Sequence, residues 1–338
     1  MEPPVDATQP RRLGRSDVYV SPITFGAWAL GGWMWGGADE AASVAAIQAG
    51  VDHGLTTIDT AAVYAMGYGE QVVAKAIKGR RDRVQIATKC GRRWDTTHGS
   101  DPSPSKDNEG RDVTILADSR PESIAYECEQ SLKRLEIDYI DVYQIHYPDK
   151  TTPIEDSMAA MVKLQDQGKI RAIGVSNYDV DQLARAAAAG PLASLQPPYS
   201  LIQRKIEPAI LPFCIGHDIG ILAYSPLERG LLAGAVPVDR EFPPGDHRAG
   251  HRFFKPEHRR RVLESLEHLK PIAETHGASL AQLVINWTVN APGITSAIVG
   301  ARSVEQAIHN AGSLNFTLSD EERSTIRRAF DATSAAMM

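Results

Sequence analysis

The chain has 338 residues, with 36 Lys and Arg against 42 Asp and Glu, for a formal charge of −6. That mildly acidic balance excludes overall attraction to nucleic-acid phosphates or anionic lipid, and 43% hydrophobic with 23% charged residues excludes a disordered chain. Cys90, Cys128 and Cys214 show no paired spacing, so no disulfide framework is expected and a reducing, cytoplasmic setting is.

Residues 1–11 contain no apolar signal core and read as a flexible tail, leaving 12–338 as one domain. Residues 13–20 read as a small hairpin turning near 14–17. The uncharged stretch between Asp17 and Asp39 carries Pro22 and five glycines, which suits a strand and loop and not a spanning helix. From there the chain alternates. Short β-branched runs at 23–27, 56–59, 84–89 and 139–146 are each followed by helical spacing, at 39–53, 70–78, 121–135 and 154–167. The same alternation continues with runs at 170–175, 194–196, 221–224 and 297–299, and helices at 179–189, 207–217 and within 256–290. After 297–299 the segment Gly300-Ala301-Arg302-Ser303 leads into a further helix. Eight strand–helix repeats over this length predict an α/β fold, a parallel (β/α)8 TIM barrel with an N-terminal hairpin and extra helices. Two long segments break the rhythm, polar 91–120 and 227–255 with FPPGDHRAGHRFF. Each follows a strand, so each is expected on the C-terminal rim as a wall or lid.

Asp59, Lys89, His146, Asn177, Gln196 and Tyr224 end or just follow six of these strands, and in a barrel such ends converge on one mouth. Each has a plain structural explanation on its own. An aspartate caps helices, a lysine is solvated, a histidine packs in a core. Six together point to a site.

Several motifs in fixed order resemble the aldo-keto reductase family over 13–330. They are TTIDTAAVYAMGYGE (56–70), IATK (86–89), YIDVYQIHYPD (139–149), GKIRAIGVSN (168–177), LQPPYS (195–200), YSPLERGLLAG (224–234) and GARSVEQAIHN (300–310). WGG (35–37) and FPPGDHR (242–248) are similar to the bacterial general-stress and inositol-related branch. Ala65 stands where the family has glycine and Gly69 where it has serine, which bears on the helix cap behind Tyr64.

The resemblance implies a catalytic tetrad of Asp59, Tyr64, Lys89 and His146, and reversible reduction of aldehydes or ketones with hydride from NADPH. Chemistry fits each role. Tyr64 supplies the proton, and Lys89 is expected to favour its phenolate and lower its pKa. Asp59 holds Lys89 charged, and His146 donates to the carbonyl oxygen. The resemblance also assigns the cofactor contacts. Ser176, Asn177 and Gln196 grip the carboxamide, Tyr224 stacks on nicotinamide, and Ser225, Leu227, Gly230 and Leu231 cover the pyrophosphate. Gln306 and Asn310 face the adenosine. Gly300 and Arg302 lie at a helix start suited to anions, with Arg302 on a 2′-phosphate. No Rossmann glycine fingerprint is present, since Gly67 and Gly69 lead to Val72.

Of Trp28, Trp33, Trp35 and Trp94, Trp28 is the expected substrate wall. His247 and His251 lie in a Pro- and Gly-rich loop, so no metal site is expected. The chain ends eight residues after Phe330, so no long C-terminal loop is expected over the pocket. The expected partner is a small carbonyl or alcohol, with no nucleic acid and no membrane. Two rival readings are a nicotinamide-binding regulatory subunit with little turnover and a Schiff-base lyase using Lys89 as nucleophile.

Overall fold

The computed structural model describes residues 8–243 and 245–337. Arg11–Arg12 (β1) pairs antiparallel with Tyr19–Val20 (β2). Of the expected tail, residues 1–7 lie outside the described residues, while Arg11 and Arg12 are strand. The hairpin plugs the lower mouth of the barrel. Leu13, Val18 and Val20 cluster with Ala87, Val142, Ala172, Ala193 and Leu222, which alternate with outward residues along the strands. Its turn demands glycine: Gly14 has φ 51°, and a Cβ there would stand 2.4 Å from the Ala193 carbonyl oxygen.

The barrel strands begin with Ile23–Gly26 (β3), Thr57–Asp59 (β4) and Gln85–Cys90 (β5). A separate antiparallel hairpin follows, Ser100–Lys106 (β6) and Asp112–Ala117 (β7). The barrel resumes with Ile140–Ile145 (β8), Ile170–Ser176 (β9), Leu192–Gln196 (β10), Gly220–Tyr224 (β11) and Ser296–Gly300 (β12). The eight barrel strands are parallel and closed, with β12 pairing back onto β3. The (β/α)8 expectation holds.

Helices Glu40–Asp52 (α1), Tyr68–Ile77 (α2), Pro121–Leu135 (α3), Ile154–Asp166 (α4), Val180–Ala189 (α5) and Ile210–Gly216 (α6) connect successive barrel strands. Beyond β11 come Pro256–Glu267 (α7), Lys270–Thr275 (α8) and Leu280–Val289 (α9). After β12 come Val304–Ala311 (α10), Asp320–Ala329 (α11) and Asp331–Met337 (α12). The helical region expected at 256–290 is three helices because Pro271 restarts it and Ser279 opens α9 with a capping box. The end of the chain is the helix α12, whose Thr333 hydroxyl meets Ser265 at 2.8 Å on α7. Among the described residues no helix is long and apolar enough to cross a membrane.

The segment expected to be an irregular loop at 91–120 is largely the β6–β7 hairpin. Pro102, Pro104 and a run of serines conceal these strands, because their pairing is exposed and isolated from the core. The 227–255 segment holds three short 3-10 turns, Glu228–Ala233, His247–Gly250 and Arg252–Phe254.

Candidate active site

Parallel register sets the site. Asp59 lies beside Gly26 and Ala87, Lys89 beside Gln144, and Ser176 beside Gln196. These residues therefore sit at one height, at the C-terminal ends of β4, β5, β8, β9 and β10. Lys89 is fully buried and donates to Asp59 Oδ1 at 2.6 Å and to the Thr60 carbonyl at 2.7 Å. Its third reach is to the Tyr64 hydroxyl at 3.4 Å. Gln196 Nε2 donates to Asp59 Oδ2 at 2.8 Å, so the carboxylate holds a lysine on one oxygen and an amide on the other. A buried ion pair of this kind persists because hydrogen bonds satisfy both ions.

Tyr64 reaches the mouth through an unusual backbone. Ala65 and Met66 have φ of 50° and 49°, and Gly67 follows at φ 91°. The φ at Gly67 is one that favours glycine, and the Arg134 side chain packs against its Cα. The N-cap of α2 is Gly67, which offers no side-chain cap. Asn108, from the tip of the β6–β7 hairpin, donates to the Ala65 carbonyl at 2.7 Å.

The tetrad aromatics face one another, with Tyr64 and His146 rings 5.9 Å apart and edge-on. Burial, with the Lys89 and Arg92 charges, holds His146 well below the ordinary histidine pKa, so its imidazole is neutral. His146 Nδ1 is buried with no hydrogen-bond partner among the described residues. Tyr64 departs from expectation. Burial pushes its phenol well above the usual tyrosine value, and the Asp59 charge adds to the shift. Burial is the larger cause, and Lys89, paired with Asp59 at 2.6 Å and 3.4 Å from the phenol, does not offset it. Burial also pushes Lys89 below its usual value, opposed by Asp59.

A cavity of about 830 Å³ runs from these groups across the barrel mouth. Asp59, Tyr64, His146, Ser176, Asn177, Gln196, Tyr224, Ser225, Leu227, Gly230, Gly300, Arg302, Gln306 and Asn310 all line it, with Trp28. Lys89 does not, being sealed beneath them with its donors bound, so it is not placed to attack a carbonyl; the lyase reading fails on that point. The Leu231 side chain does not line the cavity: it is fully buried in the main core, because an apolar side chain at that turn packs inward.

Expected cofactor residues hold one another. Tyr224 donates to Asn177 Oδ1 at 2.9 Å, Asn177 Nδ2 donates to the His146 carbonyl at 3.0 Å, and Ser176 Oγ donates to the Gln196 carbonyl at 2.7 Å. At the far end Arg302 is exposed, donates to the Gly37 carbonyl at 2.8 Å, and has its own N–H bound by Gln306. Left-handed non-glycine residues gather around this rim, among them Asn177, Ser225, Glu228 and Arg229, where strain marks a shaped site.

The contacts made around Trp28 escaped the sequence reading. Trp35 meets Trp28 edge-on at 5.3 Å, and His247 packs 4.8 Å from Trp28 and 4.9 Å from Trp35. Arg248, bound to Asp246 at 2.6 Å, lies 5.0 Å over the Trp35 ring. WGG and FPPGDHR share only a glycine between them, and nothing in either motif signals that they meet. Pro244 of that motif lies outside the described residues. His247 binds the Met34 carbonyl and His251 faces Arg229, and among the described residues no group of three or more His, Cys, Asp or Glu is placed to hold a metal.

The site is thus a buried Lys–Asp pair with a tyrosine and a neutral histidine at the mouth of a parallel barrel. The chain belongs to the aldo/keto reductase family, whose model matches residues 22–331. It is 38% identical over 326 residues to aldo-keto reductase YhdN of Bacillus subtilis, covering 95% of this chain and 93% of that protein. It is 34% identical to the NADH-specific methylglyoxal reductase of Escherichia coli, covering 95% and 98%. It is also 34% identical to a probable voltage-gated potassium channel subunit beta of Arabidopsis thaliana, covering 89% and 90%. Among solved structures, the glycerol dehydrogenase of Gluconobacter oxydans matches with TM-score 0.84 and 35% identity, covering 98% of this chain and 96% of that one. An aldo/keto reductase of Klebsiella pneumoniae in complex with NADP and acetate matches with TM-score 0.70 and 31% identity, covering 95% of each chain.

Proposed function

We propose that the protein is an NADPH-dependent reductase of aldehydes or ketones, in which Tyr64 delivers the proton. The observation that carries this reading is the Lys89–Asp59 pair at 2.6 Å beneath Tyr64 and His146 on one cavity wall. Bound nicotinamide supplies hydride to the carbonyl carbon. The oxygen then becomes an alkoxide and takes the Tyr64 proton, a step favoured because an alkoxide is far more basic than a phenolate. Neutral His146 donates a hydrogen bond to that oxygen through Nε2 and orients it. Lys89 stands 3.4 Å behind the phenol to balance the charge that proton transfer leaves.

The donor set suits a dinucleotide. Arg229, Arg240, Arg248 and Arg302 line the same cavity as Asn177 and Tyr224, supplying guanidinium charge for phosphates. Asn177, Ser176 and Gln196 hold the carboxamide end, Tyr224 the ring face, and Gly300, Gln306 and Asn310 the adenosine end. The Klebsiella relative's NADP supports the choice of cofactor, and the Escherichia coli relative's name makes NADH the alternative. Three unpaired buried cysteines support a cytoplasmic location. A regulatory role has one specific support, the likeness to the plant channel subunit.

The test is a carbonyl panel with NADPH and NADH, followed by cofactor absorbance. Turnover with NADPH preferred is expected. Binding of cofactor without turnover of any carbonyl favours the regulatory reading.

A further inference from the structure

The turn after β5 carries two consecutive arginines with opposite fates. Arg93 is fully engaged: it donates to Asp95 at 2.8 Å and to Ser123 at 3.2 Å, and covers the Tyr126 ring at 4.7 Å. Arg92 has no hydrogen bond or ion pair among the described residues. Its one partner is a ring face, Tyr147, with the guanidinium carbon 5.3 Å from the centroid. Tyr147 in turn stacks on His146 at 5.3 Å, and His146 meets Tyr64 at 5.9 Å. A row of three rings thus links an unpaired guanidinium to the proton donor.

Arg92, Tyr147, His146 and Tyr64 all line the one cavity, so this charge faces the space a substrate enters. The other lining arginines are placed differently. Arg248 is bound by Asp246, Arg229 by His251 and Arg302 by the Gly37 carbonyl, while exposed Arg240 belongs to the 227–255 segment. Asp101, the carboxylate that bears on Arg92, is held by Lys150 at 2.6 Å. Around Arg92 the wall is otherwise neutral, with Ser103, Pro104, Ser105 and Ile115 from the β6–β7 hairpin and Trp33. A half-buried arginine that faces a cavity with no anion bound to it is a standing site for one.

Building on the reductase reading, we infer that Arg92 anchors the oxyanion of a negatively charged substrate, an aldehyde or ketone bearing a carboxylate or phosphate several bonds from its carbonyl. The guanidinium fork receives either group, and the ring row sets the spacing between anion and reacting carbon. Neutral carbonyl compounds lack this hold.

Matched substrates test it with the intact protein and NADPH: para-formylbenzoate against its methyl ester, and glyceraldehyde phosphate against glyceraldehyde. The expected result is a roughly 10- to 100-fold higher kcat/KM for the anionic member of at least one pair, carried by KM. Preference within the first pair assigns a carboxylate and within the second a phosphate. In Arg92→Met the ratio should fall toward one, while Arg92→Lys should restore part of it. Added salt should narrow the ratio in the parent, a readout that needs no variant. Equal use of both members by the parent, or a ratio unchanged in Arg92→Met, overturns the assignment of Arg92 and leaves the reductase reading intact. Failure of every member to turn over overturns both.

Discussion

Asp59 binds Lys89 at 2.6 Å through one carboxylate oxygen and Gln196 at 2.8 Å through the other, so a residue expected to touch cofactor also positions the lysine. Gln196 has a further contact to Gln144 Oε1 at 3.2 Å, which ties β4, β8 and β10 together beneath the cavity. Removing either ion of the pair leaves a buried charge uncompensated, at a cost of about 3–5 kcal/mol. Variants at Asp59 and Lys89 therefore need activity normalised to folded protein.

The direction of the Tyr64 shift fixes the pH behaviour. Its pKa lies well above the ordinary tyrosine value, so the phenol is protonated throughout the neutral range. Reduction, which uses the acid, should run level from about pH 6 to about pH 9, and alcohol oxidation, which needs the phenolate, should rise with pH across the alkaline range. His146 is held well below its usual value, so no inflection near about pH 6.5 is expected from it. Lys89→Met removes the cation nearest the phenol and should displace the oxidation curve to still higher pH. Initial rates in both directions check this, and superimposable oxidation profiles for parent and variant would show that Lys89 does not tune Tyr64.

Arg302 governs cofactor choice in this account. Its guanidinium is exposed and held by the Gly37 carbonyl at 2.8 Å. Exposure screens the charge, so Arg302→Ala should weaken NADPH by about 1–2 kcal/mol, the lower part of the range for a charge-assisted hydrogen bond. NADH should change little. Fluorescence titration with both cofactors decides it, and equal losses would show Arg302 reading a group common to the two.

Glu127 on α3 predicts a stability effect. Oε1 accepts from the Gly91 N–H at 2.8 Å, Oε2 is buried with no partner among the described residues, and burial raises the carboxyl to about 8. The folded chain then keeps a proton that the unfolded chain loses above about pH 4.5. Stability should therefore fall as pH rises from about 4.5 to about 8, the opposite of a salt-bridged carboxylate. Glu127→Gln retains the acceptor for Gly91 and removes the titration, so its Tm relative to the parent should improve between pH 5 and pH 8. Thermal melts at both values check the sign; a constant Tm difference would mean that Glu127 ionises normally.

Much of this architecture was legible because it is periodic. All eight barrel strands lie at the expected runs, and the strand-end residues Asp59, Lys89, His146 and Gln196 meet because parallel register brings strand ends to one height. Contacts between loops distant in sequence were not legible. Nothing local tells that Trp35 and His247 pack on Trp28, or that Asn108 braces the backbone behind Tyr64. The β6–β7 strands were hidden by Pro102 and Pro104, and the inward turn of Leu231 depends on core packing that a glycine-rich motif does not reveal. The Tyr64 pKa was misjudged for a related reason: the sequence names Lys89 as a neighbour but not how deeply the phenol is buried beside the Asp59 charge.

The role of Tyr64 is measured most directly by comparing Tyr64→Phe with the parent in NADPH-dependent reduction of the best carbonyl substrate, with NADPH affinity determined on the same preparations. The ring and its packing against Trp28 at 6.5 Å are kept while the proton is removed. A loss of about 10²-fold or more in kcat, with cofactor affinity unchanged, is predicted. Turnover within a few-fold of the parent would contradict it and move the proton to His146 or to water.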